Sequence, residues 1–468
     1  MTTQVPVARQ EHLAHVVFIS AAAALGGFLF GYDSAVINGA VDGIKGHFGI
    51  GAGTTGLIVS AALLGSALGA AIAGKLADLK GRLIVMRLAA TLFVVSSFGA
   101  MFPFADWELA FWRVISGVAI GMASMVSPAY IAEVAPPAYR GRLASFQQLA
   151  IVLGIAISQL VNFAIAALAG GNTRNHLVGI EAWQWMLGAA AVPAAIYLVF
   201  ALVIPESPRY LVEDGKLDRA RQVLSEVEGD VDLDARVREI QASLRLEHKP
   251  RLRDLRGPAM GLLPIVWVGI GLSVLQQFVG INVIFYYSAS LWHSVGISQT
   301  NSLLISLSTS IINIVGTLIA IAFVDKIGRK PLALIGSVGM TLSLATMAWA
   351  FSAARKIGPN DVRLPHNEGL VALFTAHTYV LFFALSWGVV VWVMLGEIFP
   401  NKMRAAAMSV AVAAQWIANW LVTVTFPSLS QWSLSGAYVG YSIFAALSVI
   451  FVTRFLRETK GKKLEEMG

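Results

Sequence analysis

Two charged residues stand inside long apolar runs of this chain. Asp33 sits in Gly31-Tyr32-Asp33-Ser34, and Arg113 in Trp112-Arg113-Val114-Ile115-Ser116-Gly117-Val118-Ala119-Ile120-Gly121. At the centre of a membrane helix each costs about 2.5–3.5 kcal/mol on insertion scales, so such residues mark a function or a partner. The plain reading is a static ion pair that neutralises two buried charges. The chemical reading is stronger: a carboxylate that alternates between water and burial beside an arginine has a proton affinity that swings with conformation. Such a group can carry a proton.

Amides form the second set. Gln159 lies in the fifth apolar run, Gln276, Gln277 and Asn282 in the seventh, Asn313 in the eighth, and Gln415 and Asn419 in the eleventh. The last two are four residues apart and share a helix face. For any one of them, hydrogen bonding between helices is the ordinary role. Seven amides in four helices are harder to dismiss as glue. Amides both donate and accept, which suits a neutral ligand bearing many hydroxyls. The indoles of Trp392 and Trp416 add surface suited to the C–H face of a pyranose. A sugar is the best match, and the residues alone leave other polyols open.

The elements that must hold these groups are apolar. The chain has 468 residues, of which 57% are hydrophobic and only 13% charged, against about 25% charged in a soluble domain. Twelve runs are long enough to cross a bilayer as helices: near 14–38, 55–77, 82–102, 107–133, 142–169, 182–204, 260–291, 300–324, 331–352, 370–399, 405–427 and 435–456. A span needs about 20 such residues. The predicted fold is an all-α membrane protein of two six-helix bundles. The expected units are 1–204 and 259–456, a cytoplasmic helical linker at 205–258, and a tail at 457–468. The first run is too long for a signal-peptide core.

The net charge of +7 builds no basic domain, which excludes nucleic acid as the partner. The positive-inside rule explains it instead. With the N-terminus inside, short cytoplasmic loops hold Lys75, Lys80, Arg82, Arg140, Arg142, Lys326, Arg329, Lys330, Lys402 and Arg404. External loops hold Lys45, Arg174, Arg355, Lys356 and Arg363. Both termini are expected in the cytoplasm and the protein in the plasma (inner) membrane. There is no cysteine, so disulfides and thiolate metal sites are ruled out.

A rim signature occurs twice. The first copy is Gly74-Lys75-Leu76-Ala77-Asp78-Leu79-Lys80-Gly81-Arg82 with Glu133-Val134-Ala135-Pro136 and Arg140-Gly141-Arg142. The second is Asp325-Lys326-Ile327-Gly328-Arg329-Lys330 with Glu397-Ile398-Phe399-Pro400 and Arg404. Repeated halves are a mark of transporters that rock one half against the other. After the sixth run comes Pro205-Glu206-Ser207-Pro208-Arg209-Tyr210, with Ser207 placed to cap a helix and Pro208 in its first turn. Two amphipathic helices follow, carrying Ala220, Val223, Leu224 and Val227, then Val237, Ile240 and Leu244. Glu458-Thr459-Lys460-Gly461 echoes Pro205-Glu206-Ser207-Pro208 at the end of the second half. Gly280 interrupts the seventh run and predicts a broken helix there, and Gly117 and Gly121 predict a close helix contact.

With these motifs the chain resembles the sugar porter family of the major facilitator superfamily over essentially its whole length. Within it the chain is similar to the glucose permeases of actinobacteria, which are proton symporters, and to the xylose–proton symporter and the facilitative glucose carriers. The resemblance implies that Gln159, Gln276, Gln277, Asn282, Asn313, Trp392, Gln415 and Asn419 bind the sugar, and that Phe30, Tyr286, Gly388 and Trp416 line the pocket. It implies proton coupling by Asp33 and Arg113, where facilitative carriers typically have asparagine at the first position. It further implies a cytoplasmic gate of Asp78, Arg82, Glu133, Arg140, Asp325, Arg329, Glu397 and Arg404 that holds the outward-open state. Three departures stand out. Leu79 replaces a basic residue, which weakens that half of the gate. Gly388-Val389 replaces Gly-Pro, which predicts a stiffer tenth helix. Arg457 replaces a proline.

The function these readings predict is uptake of D-glucose or a related hexose with a proton as co-substrate, by a monomer with no metal or other cofactor. A facilitative uniporter, or a symporter preferring a pentose or galactose, is the alternative. An enzyme would need a nucleophile, metal cluster or acid–base pair at the midplane, and the sequence supplies none. A drug antiporter would line its cavity with fewer amides.

Overall fold

The computed structural model describes residues 7–136, 140–229, 232–246, 252–356, 362–400 and 403–459. Long helices account for almost all of it. They run α1 (Val7–Phe48), α2 (Ala52–Lys80), α3 (Arg82–Met101), α4 (Asp106–Val134) and α5 (Arg140–Leu168), then α6 (Ala182–Ala189) and α7 (Ala191–Val203). Three short helices follow: α8 (Pro208–Glu213), α9 (Leu217–Glu228) and α10 (Leu233–Leu246). The remainder are α11 (Pro264–Phe278), α12 (Ile281–Ser294), α13 (Gln299–Ile327), α14 (Arg329–Ser352), α15 (His366–Ala384), α16 (Trp387–Glu397) and α17 (Arg404–Phe455). Three two-residue antiparallel ladders tie loops: His176–Leu177 with Ile180–Glu181, Arg256–Gly257 with Gly261–Leu262, and Arg355–Lys356 with Val362–Arg363.

Eleven segments of the described residues are long and apolar enough to cross a membrane. The last, Ala406–Phe455, has 50 residues, about 75 Å of helix against a hydrocarbon core of about 30 Å. Ser433 inside it is not helical, with φ −161° and ψ 107°. It is therefore two crossings joined by a kink, which makes twelve. Three other crossings are also discontinuous, α6–α7, α11–α12 and α15–α16, with Ala190, Gly280 and Ser386 at the breaks.

Helices α1 to α7 pack mainly on one another, as do α11 to α17. The contact of α2 with α4 depends on glycine in both directions. A Cβ on Gly117 would lie 2.0 Å from the Ala62 carbonyl oxygen, and one on Gly65 would lie 2.1 Å from that of Val114. Such small residues let membrane helices approach backbone to backbone. Large apolar side chains such as Leu57, Leu64 and Leu68 of α2 point outward and are about half exposed, the surface a lipid environment requires.

The helices α8–α10 mark one side of the bundle, here the linker side; the opposite side is the far side. Ser207 caps α8, its Oγ accepting from the Tyr210 N–H at 3.3 Å with Pro208 at the first position. Ala220, Val223, Leu224, Val227 and Val237 are all buried: α9 packs on α1, and α10 packs on α8 and α9.

Candidate functional site

Asp33 and Arg113 meet. The Arg113 Nη1 donates to Asp33 Oδ1 at 2.8 Å, and the two side chains are 7% and 4% exposed. α1 supplies the carboxylate and α4 the guanidinium, held together because the glycine contacts draw α4 into the bundle. A cavity of about 10 Å3 lies against the pair, lined among others by Phe30, Ser34, Ser66 and Tyr286. That is room for about one water molecule. The cavity joins the ion pair to Phe30 and Tyr286, two of the expected pocket residues.

Four of the second-half amides form a chain. Gln415 Nε2 and Gln277 Nε2 both donate to Gln276 Oε1, at 2.8 and 3.1 Å. Asn282 Nδ2 donates to Gln277 Oε1 at 2.5 Å, and Gln276 Nε2 donates to the Trp387 carbonyl at 2.9 Å. Broken helices make this possible. Gly280, at φ +83°, lets the chain pass from α11 to α12 in a left-handed conformation, which costs a residue with a Cβ about 1–2 kcal/mol. Trp387 is the first residue of α16, directly after the break that ends α15. The buried Gln415 Oε1 has no partner, so the chain ends on an open acceptor where a hydroxyl can donate.

The other expected residues stand on α1, α5, α12, α13, α16 and α17. Gln159, 1% exposed, stands on α5 and accepts from Asn38 Nδ2 at 3.2 Å. Asn419 accepts from Thr423 Oγ1 at 3.2 Å. Tyr286 is buried on α12, and Phe30 packs edge-on to Trp416 with ring centroids 6.0 Å apart. Trp392 is 43% exposed on α16, Gly388 sits in the first turn of that helix, and Asn313 is buried on α13 outside the amide chain. The stiffer tenth helix expected from Gly388-Val389 is not found. The helix breaks two residues before Gly388, at Ser386, whose Oγ donates to the Phe382 carbonyl at 2.5 Å and so satisfies a group the break would orphan. Proline is not needed to interrupt a helix when a side chain takes over the lost bond.

At the linker rim the two signatures close into matching rings. Arg82 Nη2 donates to Glu133 at 2.9 Å and lies 3.7 Å from Asp78; Ser207 donates to the same Glu133. Glu206 accepts from the backbone N–H of Arg82 and Leu83, both at 3.1 Å, capping α3. Burial pushes its carboxyl up, against those donors and the Arg82 charge. In the second half Arg329 pairs with Glu397 and Asp325 at 2.8 Å each, Thr459 donates to Glu397 at 2.5 Å, and Glu458 caps α14 through the N–H groups of Arg329 and Lys330. Thus the echo between the linker and the tail is a repeated cap and clasp. Among the described residues the ion pairs of each ring lie within its own half. Arg404 donates Nε to the Phe399 carbonyl at 3.2 Å and its buried Nη2 is unpartnered, while the Arg140 side chain lies outside the described residues. Leu79 is 74% exposed.

Contacts between halves sit on the far side instead. Ala289 N donates to Asn38 Oδ1 at 2.9 Å, His293 meets Asp42 at 2.9 Å, and Gln299 exchanges bonds with Thr173. A Cβ on Gly56 would stand 2.3 Å from the Val424 carbonyl oxygen. The far side is closed. Sequence reasoning missed Asn38, Asp42, His293 and Trp387; the first was visible as one more amide in an apolar run.

The family model described as Sugar (and other) transporter matches residues 19–468. The chain belongs to that family. It is 53% identical to the glucose transport protein of Synechocystis sp., covering 99% of each chain. It is 35% identical to the D-xylose-proton symporter of Escherichia coli K12, covering 98% of this chain and 96% of that one. Its structure matches the partially occluded inward-open form of the E. coli xylose transporter XylE with TM-score 0.82 at 34% identity, over 96% of this chain and 100% of that one. The major facilitator superfamily proton:xylose symporter XylE bound to 6-bromo-6-deoxy-D-glucose matches with TM-score 0.78 at 36% identity, over 97% and 99%. The fold is that of a major facilitator sugar porter, a multi-pass membrane transporter.

Proposed function

We propose that this sugar porter couples uptake of D-glucose to entry of a proton by alternating access, rocking residues 1–204 against 259–456. The observation that carries the reading is the buried Asp33–Arg113 pair sharing a one-water cavity with Phe30 and Tyr286. A titratable group next to the ligand pocket is what coupling needs, because proton and sugar must then bias the same two states. The family's glucose- and symporter-named members support both the sugar and the proton.

Gln159, Gln276, Gln277, Asn282, Asn313, Trp392, Gln415 and Asn419 hold the sugar, with Phe30, Tyr286, Gly388 and Trp416 lining the pocket. The amides bond to one another when no sugar is bound, so sugar hydroxyls exchange for those bonds at small net cost. The open acceptor on Gln415 takes a hydroxyl proton. The excess of basic residues in the linker-side loops puts both termini in the cytoplasm, so the far-side-closed form is inward-facing. The rim residues Asp78, Arg82, Glu133 and Arg140 and Asp325, Arg329, Glu397 and Arg404 then pair across the halves when the outward-open state forms. The protein acts as a monomer in the plasma membrane.

Uptake of labelled glucose into proteoliposomes, with unlabelled hexoses and pentoses as competitors and with and without an imposed pH gradient, tests the reading. Accumulation that follows the gradient and yields to glucose supports it. Equilibration that ignores the gradient makes the protein a uniporter.

A further inference from the structure

Asn38 has no part in the roles above, yet it joins three helices. It lies on α1 five residues after Asp33 and is 1% exposed. Its Oδ1 accepts from the Ala289 N–H of α12, at 2.9 Å, and its Nδ2 donates to Gln159 Oε1 of α5, at 3.2 Å. Gln159 in turn directs Nε2 to the Ala35 carbonyl at 3.4 Å.

Each of these bonds needs a particular end of the amide, since the oxygen only accepts and the NH2 only donates. The Ala289 N–H therefore fixes which way Asn38 points, and Asn38 fixes which way Gln159 points. Ala289 belongs to the opposite half. Opening of the far side must draw α12 away from α1 and break that first bond.

We propose that Asn38 is a positioning residue that sets the orientation of the Gln159 amide toward the sugar while the far side is closed, and gives up that setting when α12 leaves α1. Sugar affinity and far-side closure are thereby linked through one side chain. The inference rests on Gln159 being a sugar contact, and the test separates the two ideas.

Substitution distinguishes the two ends of Asn38. Asn38→Asp keeps an acceptor for Ala289 but sets a second oxygen against Gln159 Oε1, so Gln159 must turn. Asn38→Leu keeps the branched shape and removes both bonds. Equilibrium binding of radiolabelled D-glucose is measured for the purified wild-type protein, Asn38→Asp, Asn38→Leu, Gln159→Ala and the two double variants. Losing one bond of about 1 kcal/mol predicts roughly fivefold weaker binding for Asn38→Asp. In the Gln159→Ala background that loss disappears, because nothing is left to orient. A cysteine at Leu291, 5% exposed here, reports far-side opening by maleimide labelling. Labelling accelerates in Asn38→Leu with or without Gln159. Glucose binding in Asn38→Asp equal to wild type, or losses that multiply in the double variant, overturns the positioning role. Unchanged labelling in Asn38→Leu overturns the link to closure. Gln159→Ala that binds glucose like the wild type overturns the sugar contact itself. If Asn38→Asp fails to fold, the comparison of Asn38→Leu with and without Gln159 decides the same question.

Discussion

Asp33→Asn is the sharpest perturbation of the coupling. Asp33 Oδ1 and Arg113 Nη1 are 2.8 Å apart, with both side chains more than nine-tenths buried. Unit charges about 4 Å apart between centres, at an effective dielectric constant of about 20, attract by about 4 kcal/mol. Asparagine keeps an oxygen for Arg113 and removes the charge. Truncating one partner of a buried pair costs about 3–5 kcal/mol, so states that hold the pair lose at least about a factor of 10² against states that release it. More decisive than that shift, the amide cannot take up or release a proton. With one proton per sugar and a gradient of about one pH unit, acid outside, the wild type sustains up to about tenfold accumulation, since about 1.4 kcal/mol corresponds to tenfold. The variant sustains none, while exchange of labelled for unlabelled glucose across the vesicle continues. The assay is the ratio of internal to external labelled glucose in proteoliposomes, run beside counterflow exchange. Concentrative uptake by Asp33→Asn would refute the reasoning outright.

Gln276→Ala removes the hub that accepts from Gln277 and Gln415. Unpaired buried groups cost about 1–3 kcal/mol each, so the half-saturation constant for glucose rises at least about fivefold; an unchanged binding isotherm takes Gln276 out of the site. Glu397→Gln opens the second rim ring, where a partly solvated pair is worth about 0–1 kcal/mol. Accessibility of introduced cysteines shifts by up to about fivefold while glucose affinity stays, and a lost affinity would place Glu397 in the sugar site instead. Gly56→Leu puts a side chain where the Val424 carbonyl now lies, so the far side cannot close. Net uptake stops, and a cysteine at Ala289, 5% exposed here, becomes reactive from outside; protection of that cysteine would show that α2 and α17 can part without opening. Gly280→Ala combines a φ of +83° with a Cβ 2.8 Å from the Tyr441 ring. It lowers the melting temperature and the uptake rate, and wild-type values for both would mean that the break between α11 and α12 adjusts freely.

Local patterns were legible along the chain because their causes are local. Long apolar runs become spanning helices since an unsatisfied backbone is too costly in lipid. The cap at Ser207 and the break at Gly280 follow from single side chains. The doubled rim signature foretold two like rings, although only the structure assigned Glu206 and Glu458 to cap α3 and α14. The break at Ser386 was not legible because it depends on a hydroxyl replacing a backbone bond rather than on proline.

What the sequence determined by itself was therefore the inventory: twelve crossings, an intramembrane aspartate and arginine, and a surplus of amides. Tertiary structure decided who meets whom. It drew Asp33 and Arg113 to 2.8 Å across 80 residues of chain, joined Gln277 and Gln415 through Gln276, and gave Asn38 a partner 251 residues away. It also selected the closed side. The physical reason is that periodicity records which face of a helix is buried. Which polar atom on that face finds which partner depends on helix approach distances, set here by glycines against carbonyls and by side chains that must satisfy one another without water.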